Sequence, residues 1–360
     1  MPSPNPIISM KTLNLKVDPQ NPEKEKILEA ARLIIRGGLV AFPTETVYGL
    51  GADAFNAKAV LAVFKAKKRP LDNPPIVHVC RASDVERLVS EVTSEAVMLM
   101  KKFWPGPLTL ILKRSIAVPS VTVSGLDTIA VRMPKHNVAL ALIKESGRPI
   151  SAPSANLSGR PSPTSAAHVL HDLDGRIDAV LDGGPTLIGV ESTVLDLTVD
   201  PPQVLRPGGT SLEALRKILK KVELNPVVTS DRALPVEKAR SPGIKHRHYA
   251  PDAELIVVEG DLPAMVEKVK ELVSFYERNG SKVGVLCTDE TMASYKAEVV
   301  KPIGSRGDLA EIARNLFRLL REFDLEKTDV VVAEGLPLEG LGLAVMNRLR
   351  KAAAYKIVKA

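Results

Sequence analysis

Between Glu23 and Val222 stretches of helical period alternate with short apolar runs, and that alternation most limits the folds open to this chain. Apolar residues recurring every three to four positions bury one face of a helix, whereas a short apolar run bounded by Gly, Pro or Ser suits a buried strand. Helices are expected at 23–36, 57–67, 82–90, 93–103, 136–146, 164–173 and 211–221. Strands are expected at 38–43, 75–80, 107–113, 128–133, 149–152, 178–182, 192–198 and 202–206. Such a rhythm predicts an α/β domain around a sizeable sheet.

The flanks differ in character. Residues 1–22, with Pro2, Pro4, Pro6 and Pro19, read as an N-terminal arm holding one short strand around Lys11 to Val17. Residues 223–251 carry Pro226, Pro235, Pro242 and Pro251 and little periodicity, which marks a linker rather than part of a compact core. Beyond it ELIVVEG, a helix at 262–279, KVGVLC, a helix at 308–323, DVVVAEG and a last helix near 343–354 repeat the β-α pattern. Their apolar runs do not alternate, as expected of a small parallel sheet covered on both faces over residues 252–360.

Composition sets outer bounds. With 45% hydrophobic and 25% charged residues, 360 residues suffice for two cores. The net charge of +7 favours anionic partners but on a chain this long does not by itself mean nucleic acid: a triphosphate, RNA or no anionic partner at all is consistent with it. Cys80 and Cys287 stand far apart in apolar runs, so neither a disulfide framework nor a zinc ribbon is indicated and a reducing cytoplasm is expected. No run of eighteen apolar residues and no apolar leader after a basic start points to a membrane.

Several motifs carry polar chemistry. LVAFPTETVYGLGAD at 39–53 reads as a strand ending in a loop where Thr44, Glu45, Thr46 and Tyr48 cluster, with Gly49 and Gly51 permitting a turn or a close approach. The plainer reading is a turn whose threonines satisfy their own backbone. FKAKKRPLDNPPIVHV at 64–79 crowds Lys65, Lys67, Lys68 and Arg69 at a helix end, with Asn73 and His78 following. Cations suit any helix C-terminus, yet a guanidinium fork beside an ammonium also suits a triphosphate. SAPSANLSGRPSPTS at 151–165 sets hydroxyls and an amide on a restricted backbone, GVESTVLDL at 189–197 puts Ser192 and Thr193 at a strand mouth, and QVLRPGGTS at 203–211 brings Arg206 to a strand end. Hydroxyl-rich strand ends with isolated arginines have the composition of a ligand cleft.

PTETVYGLGAD, KKRPLDNPPIVHV, WPGPLTLIL, TIAVRMP, SAPSANLSG, GVESTVLDL and LRPGG, in that order, resemble the YrdC-like domain of threonylcarbamoyl-AMP synthases. SPGIKHRHYAP at 241–251 and GLGLAVMNRLRKAA at 341–354 resemble the linker and C-terminal domain of that family's long form. The resemblance implies a YrdC-like twisted mixed sheet with helices at 23–222, and a smaller Rossmann-like parallel α/β/α domain beyond the linker. The implied reaction joins L-threonine, bicarbonate or CO2, and ATP into threonylcarbamoyl-AMP, releasing pyrophosphate, with magnesium carried by ATP. A separate tRNA threonylcarbamoyl transferase complex would use the product.

Residue by residue, the resemblance implies Thr44, His78, Arg132, Ala152 and Ser192 on the threonine side. It implies Arg69, Asn73, Thr128, Ser154, Ser162, Arg206 and Tyr249 around ATP, with Lys67 and Arg69 as the family's basic pair. The linker, ending in KHRHYAP, is expected to close over the nucleotide as a lid. The implied nucleophile is a carbamate anion, so no Ser-His-Asp triad is required, and none is visible.

Other features read plainly. His168 with His171, and His246 with His248, lack the further ligands of a zinc set. GLGLAVMNRLRKAA is expected to pack one face while exposing Arg348, Arg350 and Lys351. The rival class is an RNA-binding accessory module of tRNA or ribosome maturation, which would show salt-steep RNA binding without ATP turnover.

Overall fold

A computed structural model describes residues 11–234 and 248–360, and within them the strands form two sheets. The larger holds β1 (Leu13–Lys16), β2 (Val40–Phe42), β3 (Gly49–Asp53), β4 (Val77–His78), β5 (Leu108–Lys113), β6 (Thr128–Arg132), β7 (Ile150–Ser151), β8 (Ala179–Asp182), β9 (Thr193–Asp196), β10 (Gln203–Arg206) and β11 (Glu223–Leu224). Their spatial order is β1-β8-β2-β3-β7-β4-β6-β5-β9-β10-β11, with parallel and antiparallel pairs mixed. Helices α1 (Lys24–Ile35), α2 (Ala57–Lys67), α3 (Ser94–Phe103), α4 (Asn137–Ser146), α5 (Ala166–Leu173), α6 (Leu212–Arg216) and α7 (Pro226–Thr229) belong to this half.

The second sheet is wholly parallel: β12 (Glu254–Glu259), β13 (Val283–Cys287), β14 (Val299–Pro302), β15 (Val330–Glu334) and β16 (Ile357–Lys359), in the order β14-β13-β15-β12-β16. Met265, Val269 and Val273 of α8 (Leu262–Arg278) cover one face, while α9 (Leu309–Leu325) and α10 (Leu341–Ala352) cover the other. This is the small α/β/α layer expected after the linker. Its α9–α10 core also takes in Val47, Val190 and Tyr249, so an apolar seam joins the two halves beside loops of the larger sheet.

Most expected elements form within a few residues of their expected ends, and the differences are local. GLGAD was expected as a loop but is β3, paired antiparallel with β2 and β7 in the sheet interior. Its glycines make room for neighbours: a β-carbon on Gly51 would lie 2.7 Å from Ile150 Cγ2 and 2.8 Å from Phe42 Cε1. The 82–90 stretch is a 3-10 turn at Ala82–Arg87, the 211–221 helix stops at Arg216, and β14 and β16 flank the small sheet without an earlier expectation. The opening of the 223–251 linker is ordered, because Glu223 and Leu224 pair with β10 and Asn225 caps α7. Most of SPGIKHRHYAP lies outside the described residues, so the lid expectation is followed only from His248 onward.

The last helix departs most from expectation. Arg348, Arg350 and Lys351 were expected in solvent, yet all three are buried, Arg348 completely. At about 100° per residue the three positions share an arc of roughly 160°, and because the apolar residues around the rest of α10 are buried too, packing covers both sides of the helix.

Candidate active site

Local folding rules bring the polar segments to one cleft. Asn56 caps α2 by accepting from the Ala59 amide, and α2 ends where Lys68 turns left-handed at φ 51°. The Arg69 amide then returns to the Phe64 carbonyl, and Pro70 blocks further helix. That stop sends Lys67 inward and swings Arg69 across the following loop. Arg69 Nε donates to Asn73 O at 2.9 Å, and Nη2 donates to Pro74 O at 3.3 Å.

The cleft encloses about 540 Å³ of empty space, its open mouth included. Nine expected site residues line it: Thr44, Arg69, His78, Arg132, Ala152, Ser154, Ser192, Arg206 and Tyr249. Parallel pairing of β4 with β6 sets His78 directly beside Arg132, and the Ala152 amide is fixed on Ile76 O. Beneath them Ile76, Ile111, Ala130, Val194 and Leu205 form a small apolar floor on the sheet.

Four expected residues do not line it. Lys67 sends its ammonium to Ser154 O at 2.5 Å and to Asn156 O, so it braces the SAPSANLSG loop from behind rather than reaching into the cleft. Burial first, and the Arg69 charge second, push its pKa well down. Asn73 meets the cleft through His248, its amide nitrogen 3.3 Å from His248 Nε2. Ser162 donates to Glu191 Oε1 at 2.6 Å. Thr128 opens β6, four residues before Arg132, on the same strand face.

Thr44 supports the plainer reading of its loop as well as a site. Its hydroxyl donates to Val47 O at 2.7 Å and lies 2.8 Å from Thr46 Oγ1, closing the turn that presents it to the cleft. Thr46 Oγ1 accepts from Arg132 Nη1 at 2.9 Å, and Arg132 Nε donates to Gly106 O at 3.1 Å. Arg132 Nη2 sits 2.6 Å from Glu45 Oε2, an ion pair without good hydrogen-bond angles. His78 lies edge-on to Phe42, and burial followed by the Arg132 charge lowers its pKa to about 3, so it is neutral.

On the opposite wall Arg206 donates to Ser192 O from Nε at 3.2 Å and from Nη2 at 3.1 Å, and to Ser192 Oγ at 3.2 Å. Gly208 passes so close to the Glu191 and Ser192 backbone that a β-carbon there would collide with it. Tyr249, held at φ 66°, stacks on Phe317 of α9 with ring centroids 5.3 Å apart. Sequence reasoning gave no role to Glu191, Arg348 or His248. A carboxylate at the mouth of an apolar strand, and three basic residues close together in an otherwise apolar helix, were the available signals.

Electrostatically the cleft is starved of negative charge. Arg69, Arg132 and Arg206 line it, each at least nine-tenths buried, while Glu191 is the lining carboxylate. Burial, with neighbouring Arg206 adding to it, pushes Arg69 down to about 9. Behind the wall, burial together with Arg348 and Arg206 brings Lys351 down to about 7. Arg132 is offset by Glu45, whereas Arg69 and Arg206 donate to neutral carbonyl and hydroxyl oxygens, and buried cations so placed need an anion.

The comparisons agree on what family this geometry belongs to. Residues 32–208 match the family described as "Telomere recombination", the Sua5, YciO and YrdC group, and residues 210–354 match "Threonylcarbamoyl-AMP synthase, C-terminal domain". The threonylcarbamoyl-AMP synthase of Pyrococcus abyssi is 53% identical over 94% of this chain and 96% of its own length. That of Bacillus subtilis is 49% identical over 93% of this chain and 94% of its own. The chain belongs to the threonylcarbamoyl-AMP synthase family. A crystal structure of P. abyssi Sua5 complexed with L-threonine superposes at a TM-score of 0.92, with 52% identity, over 97% of this chain and all of that one. Family membership makes the chain an ATP-dependent enzyme of nucleotidyl-transfer type. No helix among the described residues is long and apolar enough to cross a membrane.

Proposed function

We propose that this cleft makes threonylcarbamoyl-AMP from L-threonine, bicarbonate or CO2, and ATP, for N6-threonylcarbamoyladenosine modification of tRNA. The observation that carries the assignment to this cleft is the set of three buried arginines, Arg69, Arg132 and Arg206, around one enclosed space. Two anions, a threonine-derived carbamate and a triphosphate, match that charge.

Arg132 and neutral His78 face the threonine, with Thr44, the Ala152 backbone and Ser192 completing its pocket. The hydroxyl of Thr44 donates to Val47 O and accepts from the Thr46 and Val47 amides, so Thr44 shapes the wall that faces the threonine. Arg69 and Arg206 meet the phosphates. Ser154 and Tyr249 flank the nucleotide, Asn73 acts through His248, and Ser162 stands behind them, donating to the Glu191 carboxylate in the wall. Thr128 is about 13 Å along the strand from Arg132, a distance that suits the far end of ATP. Lys67 serves by fixing the loop that carries Ser154.

The threonine amine, once neutral, attacks CO2: the C–N bond forms as one C=O π pair moves onto oxygen, and the nitrogen gives up a proton to solvent, leaving a carbamate anion. A carbamate oxygen then attacks the α-phosphorus in line, and the bond to pyrophosphate breaks. Alignment of the two anions and neutralisation of charge building on pyrophosphate are the protein's contributions. Magnesium carried with ATP would add charge neutralisation on the phosphates. Among the described residues no group of three or more His, Cys, Asp or Glu could hold a metal, and Glu191 is already engaged by Ser162 and Arg348. The product passes to a separate tRNA threonylcarbamoyl transferase.

Calorimetric titration with threonine and valine tests the pocket. A site that hydrogen-bonds the hydroxyl leaves polar groups unpaired with valine, so valine binds at least roughly 100-fold more weakly. Equal affinity for the two would remove the threonine assignment.

A further inference from the structure

Arg348 lies on α10 in the C-terminal half, yet its guanidinium is fully buried at the wall of the cleft. Nε donates to Glu191 Oε2 at 3.0 Å, and Nη1 donates to Pro207 O. The guanidinium carbon sits 5.9 Å from the centre of the Tyr249 ring, which also stacks on Phe317 and meets His248 at 5.4 Å. Glu191 and Tyr249 line the cleft, whereas Arg348 does not. One side chain therefore fixes two parts of the cleft wall from the neighbouring unit.

Stability alone does not account for this arrangement. A buried ion pair loses its hydration, and well-packed apolar residues at such a seam serve as well or better. Apolar packing is at hand: Val47, Val190 and Phe317 already occupy the seam. What an apolar residue would not do is offset the charge of Glu191. Burial opposes that charge, but Arg348, Arg206 and the Ser162 hydroxyl outweigh it and hold the pKa below the usual carboxylate value. Glu191 thus stays an anion, beside the place where ATP brings more negative charge.

We infer that Arg348 is a positioning residue for the nucleotide: by pairing with Glu191 and seating Tyr249, it lets the C-terminal domain make the cleft fit for ATP. The inference rests on the assignment of ATP to this cleft. It also gives the C-terminal half a part in the reaction, through a helix that touches no substrate. Without Arg348 the Glu191 carboxylate repels the phosphates. Without both charges the repulsion is gone, and ATP affinity returns.

Titrations of magnesium-ATP and of threonine, done separately on the full chain, test this with R348M, E191Q and the double variant. R348M is expected to weaken ATP roughly tenfold or more while threonine stays within roughly threefold. The double variant is expected to recover most of that loss, and E191Q alone to bind ATP as tightly as the parent or more so. A purely structural role predicts the opposite, a double variant as weak as R348M, and that result overturns the inference. Loss of ATP affinity in E191Q alone also overturns it, and this arm stands even where R348M fails to fold. A parent chain that binds threonine but no ATP would instead overturn the placement of ATP in the cleft.

Discussion

Arg132 and Glu45 face each other across 2.6 Å, both buried, yet neither Glu45 oxygen has a hydrogen-bond partner among the described residues. Their attraction holds the Glu45 carboxylate between Thr44 and Thr46 in the loop. Replacing Arg132 with Met leaves that charge buried and unpaired, which costs about 3–5 kcal/mol. Denaturant unfolding should show the loss, and titration should show threonine binding abolished. A variant with full stability would mean that Glu45 finds another partner.

Gly51 gives a test that separates packing from binding. An alanine β-carbon there meets Ile150 and Phe42 within 2.8 Å, and overpacking of this kind costs about 1–3 kcal/mol. G51A should therefore melt earlier while its threonine affinity is unchanged, because β3 lies in the sheet. Lost threonine affinity at unchanged stability would return the glycine to the binding loop.

How much of this was legible in the sequence depends on whether local rules or distant contacts decide. The α2 stop at Lys68, the strand ends at His78 and Arg132, and the hydroxyl loops follow from spacing, proline and capping. GLGAD misled because glycine disfavours strands, while the close approach of Phe42 and Ile150 that demands glycine is set by strands distant in sequence. Lys67 and Arg69 look alike in KKRP, and only the fold separates a brace under Ser154 from an arginine lining the cleft. Arg348 was hidden for a related reason. Its partner Glu191 is 157 positions away, and no periodicity within α10 reveals it.

His78 makes a prediction about pH. Its pKa in the fold is lowered to about 3, chiefly by burial and then by Arg132, from 6.5. The folded state thus binds fewer protons than the unfolded state between those values. The stabilising contribution is present above pH 6.5 and is lost as pH falls toward 3. Imidazole proton resonances should show His78 neutral from pH 7 down to about 5, and threonine affinity should not titrate with it there. A His78 midpoint near 6.5 would contradict the buried, cation-flanked setting.

Tyr249 couples the linker to the site through two aromatic faces. Y249F keeps the stack on Phe317 and the position over Arg348, so its KM for ATP should stay within roughly threefold. Y249A removes both, and KM for ATP should rise roughly tenfold or more with the threonine dissociation constant little changed. Equal effects on both substrates would place Tyr249 in general packing instead.

Pyrophosphate release from ATP, followed with threonine and bicarbonate each omitted in turn, tests the central claim most directly. Rapid release is expected with all three present, and the rate should fall to background when either threonine or bicarbonate is left out. Release that continues unchanged without threonine would contradict the account.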